Sequence, residues 1–317
     1  MTSKLYDVLI IGGGPGGLSI ATALARQVYS GLIIDSGVYR NAYTKHMHNV
    51  PGYDHADPAV FRAKVREDLK KRYDTVEFAQ ATIKTVRKSE EGIFEAVDDN
   101  GVVYRGKKLG LGTGVRDMLE KEVEGYAECW GKGIFHCLFC HGFEERGAKS
   151  SGVLATGFLS SADMVSHISL MAKRLSDRVT IYTNGNDALA AETQPKLLGT
   201  KVRIDNRRYT RFQLQGAGPA VEMTFEDGST AVEGFIASHP SYEQAAPFAA
   251  QLGLETLPSG EVKVSPPFNE TSLAGCFAVG DAATPMKSVL QAMQMGCFTA
   301  VGMVSQLQHE LASKDEL

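Results

Sequence analysis

The sequence predicts an α/β protein built on two strand–turn–helix units, and three observations carry that prediction. An apolar run over residues 6–11 passes directly into Gly12-Gly13-Gly14-Pro15-Gly16-Gly17 and then into an alanine-rich stretch of helical spacing. A second run of similar outline starts at Gly152-Val153-Leu154-Ala155-Thr156-Gly157. Between them lies Cys137-Leu138-Phe139-Cys140-His141-Gly142, a hexapeptide with chemistry of its own.

Tyr6-Asp7-Val8-Leu9-Ile10-Ile11 has the short apolar character of a buried parallel strand. In the turn that follows, Gly12 permits tight reversal, Gly14 lets backbone approach a pyrophosphate, and Gly17 lets helix pack on strand. The helix over Leu18 to Gln27 then turns its N-terminal amides towards the phosphates. A second strand, Gly31-Leu32-Ile33-Ile34-Asp35, ends in a carboxylate where a ribose hydroxyl acceptor belongs. A lone Gly-x-Gly-x-x-Gly is weak, but strand, helix and acid in register make it strong. Gly12, Gly14, Pro15, Gly17 and Asp35 are therefore cofactor-binding candidates.

His46 to Gly52 is turn-rich, and its two histidines at i and i+2 have no third metal ligand in sight, so no metal site is expected. Residues 58–73 read as an exposed helix with Phe61, Val65 and Leu69 on one face. From Thr82 to Leu111 the pattern alternates as in strands, with Asp99-Asn100-Gly101 as a hairpin turn. This stretch closes on Gly112-Thr113-Gly114, a second glycine-rich approach point.

The second unit has a helix from Ser160 to Leu175 and a strand Val179-Thr180-Ile181-Tyr182, but its signature is worn away. Ala155 and Ser160 stand where the first and third glycines belong, and Thr183 to Glu192 holds neither arginine nor lysine. Strands are expected again at 202–205, 211–215, 220–225, 235–237 and 262–264. Near the end, Gly275 to Asp281 is an apolar strand closing in Gly280-Asp281, with a helix from about Ser288 to Leu311. A Gly-Asp at that place can bind sugar hydroxyls and pyrophosphate.

With 317 residues the chain is long enough for two domains, and its apolar and charged fractions are those of a globular protein. A formal charge of −4 argues against nucleic-acid or anionic-membrane partners. No apolar run approaches the ~18 residues of a membrane span, and no signal peptide is recognised. The C-terminal Lys314-Asp315-Glu316-Leu317 matches an ER-retention address, but with no leader to carry the chain there a cytoplasmic location is expected.

The hexapeptide remains open to several readings. Two cysteines three apart can close a redox disulfide in which one thiol attacks and the other resolves, with His141 as a proton acceptor near neutral pH. The pair could also be half a zinc site, which needs two more ligands, while Cys129, Cys276 and Cys297 stand singly. Cys-x-x-Cys-His is also the attachment signature of c-type haem, and a buried core pair is the plainest alternative.

Taken together, Gly12–Gly17, Asn49-Val50-Pro51-Gly52, Gly112-Thr113-Gly114, Cys137-x-x-Cys140 and Gly280-Asp281 occur in an order that resembles the low-molecular-weight thioredoxin reductase family over essentially the whole chain. The resemblance implies two Rossmann-like, three-layer ββα dinucleotide-binding domains, the second inserted in the first. The FAD domain would comprise 1–116 and 242–317, and the inserted pyridine-nucleotide-type domain 117–241. It further implies a homodimer, with Asp281 on the flavin ribityl chain, and with Asn49 and the backbone near Val289 at the isoalloxazine ring.

Three departures from the family pattern stand out. His141 replaces the aspartate that follows the second cysteine, the second fingerprint and its arginines are missing, and Lys287-Ser288-Val289 replaces an Arg-Gln-Ala triplet. In this the chain resembles the fungal dithiol oxidases of epipolythiodioxopiperazine pathways, the gliotoxin oxidase type. That resemblance implies FAD-dependent conversion of a small-molecule dithiol to a disulfide, with O2 as acceptor and hydrogen peroxide as product. Cys137, Cys140 and His141 would be catalytic, with Cys137 on the substrate side. The alternatives are an NADPH- or ferredoxin-dependent disulfide reductase and, more distantly, a non-enzymatic dithiol-binding resistance protein.

Overall fold

The strand Leu5–Ile11 owes its place to its apolar run: Val8, Leu9 and Ile10 are fully buried. In the computed structural model, which describes residues 4–315, this strand pairs in parallel with Gly31–Asp35 on one side and Val103–Leu111 on the other. Val76–Gln80 extends the sheet beyond Gly31–Asp35, again in parallel. The long strand Val103–Leu111 is shared on its far side. Its first half takes the antiparallel strand Phe94–Asp98, itself paired with Ile83–Lys88, and its last three residues take Cys276–Ala278 in parallel. The turn at Asp98 is held by its own carboxylate, which accepts from Asn100 N and Val102 N at 2.9 Å each.

Helix Pro15–Ala25 covers this sheet with Leu18, Ile20, Ala21 and Leu24, and each such buried Leu or Ile contributes about 1.5–3 kcal/mol. Helix Val289–Ala312 packs closely on it, because a Cβ at Gly296 would overlap the Gly16 carbonyl. Pro58–Arg72 is helical as expected, begun by Asp57, whose side chain accepts from Ala59 N at 2.6 Å. Residues 262–264, expected as a strand, make only an isolated bridge between Val262 and Thr256. Val262 N donates instead to Ala282 O and Lys263 N to Glu255 O, which strings the segment between loops.

These elements form one of two compact units, made of the residues up to Ala42, Val50–Arg116, and Glu243 onwards. The other holds Tyr43–Asn49 and Asp117–Tyr242. Its main sheet is wholly parallel, in the order Arg203–Asp205, Val179–Tyr182, Ser151–Leu154, Ile236–Ala237, Ile134–Phe135. Helix Ala162–Lys173 packs against it, with Ser161 accepting from Met164 N. A separate antiparallel sheet is formed by Tyr209–Leu214, Val221–Phe225 and Thr230–Glu233; the last of these strands had no clear alternation to announce it.

The segment Tyr43–Asn49 corrects the sequence expectation, which placed it in the first domain. It packs with the second unit because two of its side chains find backbone acceptors there: Asn49 Nδ2 donates to Phe139 O at 2.8 Å, and His48 Nδ1 to Cys140 O at 2.7 Å. Among the described residues no helix is long and apolar enough to cross a membrane. Of the C-terminal tetrapeptide, Glu316 and Leu317 lie outside the described residues.

Candidate active site

In the first unit the strands Leu5–Ile11, Gly31–Asp35, Val103–Leu111 and Cys276–Ala278 all run the same way, so their carboxyl ends share one edge. That edge gathers Gly12, Asp35, Gly112, Thr113, Gly280 and Asp281, and in open α/β sheets ligands bind there. Gly12 has φ +108°, and a Cβ on it would press into the Gly112 carbonyl, so no other residue fits the turn. A Cβ at Gly17 would likewise collide with Gly12 O, whereas one at Gly14 would meet nothing within 4 Å. Gly14 is thus the open floor of a cradle at the start of a helix whose first residue is Pro15. This is the shape a pyrophosphate needs, and the residues fit FAD.

Asp35 is 2 % exposed. Its carboxylate accepts from Gly13 N at 3.1 Å, from the Tyr39 hydroxyl, and from the Arg66 guanidinium. Neither Tyr39 nor Arg66 was singled out in the sequence, because Arg66 arrives from a separate helix. Asp281 has a partner of the same kind, since Arg40 Nη1 donates to its Oδ2 at 3.0 Å. Val289 is the first residue of the last helix, capped by Ser288, whose side chain accepts from Gln291 N at 3.1 Å. Lys287 donates to Glu261 at 2.6 Å, and both side chains are buried.

In the second unit Cys137 and Cys140 are joined as a disulfide at the start of the short helix Leu138–His141. Cys140 N donates to Cys137 Sγ at 3.1 Å, and Phe139, between the cysteines, is 74 % exposed. The bonds from His48 and Asn49 fasten the carbonyls of Cys140 and Phe139 from the other side. Asn49, expected at a flavin ring, thus has its amide on this turn.

His141 lies on the same turn, and its ring is held twice. It stacks on Phe135 with centroids 3.9 Å apart and 26° between planes, and its Nε2 lies 3.1 Å from Glu145 Oε1. An ionised carboxylate can only accept, so Nε2 is the donor of this bond. Burial holds the Glu145 carboxyl above the usual carboxylate range, with the bond to His141 opposing it. Glu145 stands at i+4 from His141, a spacing the sequence offered but that gains meaning only on a helical turn.

The three other cysteines lie outside the disulfide. Burial pushes the Cys129 thiol up to about 11 and the Cys276 thiol up to about 12, so neither yields a thiolate near neutral pH. Cys297 is exposed on the last helix, and its thiol is raised as well.

The turn after Val179–Tyr182 is less bare than its sequence. Arg208, from the strand region that follows, lies over Gly185, where a Cβ would come within 2.6 Å of its Nε. Arg207 is engaged by Asp205 and Ser229. The turn over Ala155–Ser160 keeps its side chains: Phe158 is 56 % exposed and its ring meets His239 at 4.9 Å.

Residues 6–296 match the sequence profile of the pyridine nucleotide-disulphide oxidoreductases. A thioredoxin reductase of Aspergillus oryzae, aclD, is 43 % identical over 317 residues, covering 99 % of this chain and 100 % of that one. A thioredoxin reductase of Claviceps purpurea, tcpT, is 45 % identical over 297 residues, covering 93 % and 92 %. Among solved structures, an oxidoreductase from Agrobacterium tumefaciens superposes with a TM-score of 0.85 at 28 % identity, over 96 % of this chain and 99 % of that one. HlmI superposes with a TM-score of 0.87 at 25 % identity, over 99 % and 96 %.

Proposed function

The chain belongs to the pyridine nucleotide-disulphide oxidoreductase family, in its thioredoxin reductase-like branch of FAD proteins, and from that premise we propose that it is a dithiol oxidase. One observation supports this reading: a disulfide with a histidine on the same turn, its imidazole held between Glu145 and Phe135. A reductase delivers electrons to such a disulfide from a dinucleotide, whereas an oxidase must take protons from an incoming thiol. In this reading His141 takes up such a proton.

The steps follow thiol–disulfide exchange. One substrate thiol gives its proton to His141 Nδ1 and attacks Cys137 Sγ, breaking the Cys137–Cys140 bond and forming a mixed disulfide. The departing Cys140 thiolate takes that proton from His141. The imidazole then accepts the second thiol's proton as that thiol's sulfur attacks the substrate-side sulfur, closing the product disulfide and releasing Cys137 as a thiolate, so that both cysteines are reduced. Two electrons and two protons have then passed from substrate to protein. FAD, if bound, would supply the two-electron acceptor needed to restore the disulfide, with O2 as the final oxidant and hydrogen peroxide as its product. Gly12, Gly14, Pro15, Gly17, Asp35, Gly112, Thr113, Gly280, Asp281 and Val289 would hold it. A small secondary-metabolite dithiol as substrate and a homodimer as working form belong to this reading, as the resemblance to the fungal pathway oxidases implies.

A second reading, a pyridine-nucleotide-dependent disulfide reductase, is favoured by Arg208 above Gly185, a guanidinium near the turn where a 2′-phosphate is read. Anaerobic flavin spectra separate the two. A small dithiol should bleach the flavin and excess NADPH should leave it unchanged. Air should then restore the oxidised spectrum with about one hydrogen peroxide per disulfide, from the two-electron balance. Bleaching by NADPH within seconds makes the protein a reductase.

A further inference from the structure

The helix Pro58–Arg72 brings two guanidiniums to the glycine cradle of the first unit. Arg66 Nη2 donates to Asp35 Oδ2 and reaches the Tyr39 hydroxyl at 3.4 Å, while its Cζ lies 5.2 Å from the Phe78 ring. Arg62, one turn earlier, is buried, with its Cζ 3.7 Å over the Tyr39 ring and its Nη1 donating to Asn41 Oδ1 at 3.1 Å. Asp35 Oδ2 thus takes both Arg66 and the Tyr39 hydroxyl. Its Oδ1 takes Gly13 N at 3.1 Å and Gly37 N at 3.3 Å. An ionised carboxylate offers about four lone-pair directions, and these donors occupy them.

Arg66 is in the opposite condition. Nη2 spends its hydrogens on Asp35 and Tyr39, but among the described residues Nη1 and Nε have no hydrogen-bond partner. The side chain is 25 % exposed and lies against the glycine turn. A Cβ at Gly13 would collide with both Arg66 Nη2 and Asp35 Oδ2.

We infer that Arg66, rather than Asp35, is the residue that meets the adenosine ribose of FAD, with Asp35 and Tyr39 positioning its guanidinium. An acid at this place accepts from a ribose 2′-hydroxyl and repels a 2′-phosphate, whereas an arginine accommodates the phosphate. The adenosine end of this cradle is then a donor site, open to a ribose that carries either group. The inference needs only FAD binding, which the oxidase and reductase readings share.

The test uses the full chain after its flavin has been released, with FAD rebinding followed by flavin fluorescence. Two competitors are compared, ADP and the same nucleotide bearing an added ribose 2′-phosphate. In the parent protein the 2′-phosphorylated nucleotide should displace FAD at least as well as ADP. Arg66→Met should weaken FAD binding roughly tenfold, the worth of one hydrogen bond to a charged group. It should also reverse the order of the competitors, because Asp35 is uncovered. Arg66→Lys, which keeps the charge, should keep the parental order. Each order compares two ligands on one protein, so a loss of stability alone does not change it. ADP as the better competitor of the parent, or displacement by neither nucleotide, overturns the inference. So does Arg66→Met with parental FAD affinity or with the parental order. Where Arg66→Met does not fold, the orders in the parent and in Arg66→Lys decide.

Discussion

Glu145 accepts a hydrogen bond from His141 Nε2 one turn after the Cys137–Cys140 disulfide, so the imidazole is oriented by a carboxylate from its own helix end. Glu145→Gln should therefore slow dithiol oxidation roughly 10-fold, less than the ~10²-fold or more expected of His141→Ala. The His141→Ala loss should shrink at high pH, where substrate thiols ionise unaided. Stability should move the other way. A carboxyl raised by burial contributes stability below its unfolded pKa, and that contribution is lost as pH rises through the folded value. Upward from about pH 4.3 the parent should lose Tm that Glu145→Gln, which cannot ionise, retains. Thermal melts and initial rates across pH, on the same samples, check both halves.

The two cysteines should be separable by trapping. Cys137→Ser and Cys140→Ser should each keep FAD and lose dithiol oxidation. Only Cys140→Ser should form a stable mixed disulfide with an added small disulfide, because it leaves Cys137 as the exchanging thiol. Intact-mass spectrometry reads the adduct. An adduct on Cys137→Ser alone would reverse the assignment of the two sulfurs.

Gly14 offers a way to remove the cofactor without disturbing the fold. Its backbone is extended, at φ −77° and ψ −178°, and a side chain there meets no protein atom within 4 Å. Gly14→Val should fold with its far-UV spectrum intact and emerge from gel filtration colourless, because the side chain fills the pyrophosphate cradle. Gly17→Val should instead fail to fold, since its Cβ would collide with the Gly12 carbonyl.

Lys287 and Glu261 form a buried ion pair, with side chains 6 % and 0 % exposed. The second carboxylate oxygen accepts from Ser259 Oγ at 2.5 Å. Lys287→Met leaves a buried carboxylate without its cation and should cost about 3–5 kcal/mol in denaturant unfolding. Adding Glu261→Leu should recover most of that loss, as replacing both charges removes the desolvation cost along with the attraction. A double variant no more stable than Lys287→Met would show that other contacts of Glu261 matter more.

Much of this was legible in the sequence wherever the physics is local. The glycine turn at Gly12–Gly17, the hairpin at Asp98–Val102 and the capped helix after Asp57 each declare themselves within a few residues. What escaped was carried by long-range partners. Asp35 was read as a waiting ribose acceptor, yet Arg66 and Tyr39 already hold it. The window from Thr183 to Glu192 lacks basic residues, but folding sets Arg208 over Gly185 from outside it. The helix spacing of His141 and Glu145 was present but had no weight until the turn was known to be helical.

The placement of Tyr43–Asn49 has a consequence for how this protein can be cut and recombined. The stretch 117–242 looks like a portable cassette that carries its own disulfide. Two of the donors fastening that disulfide's turn, His48 and Asn49, are encoded far upstream. A chimera that exchanges 117–242 alone moves the cysteines and leaves their fasteners behind. Residues 43–49 must travel with the cassette for the turn to be inherited whole.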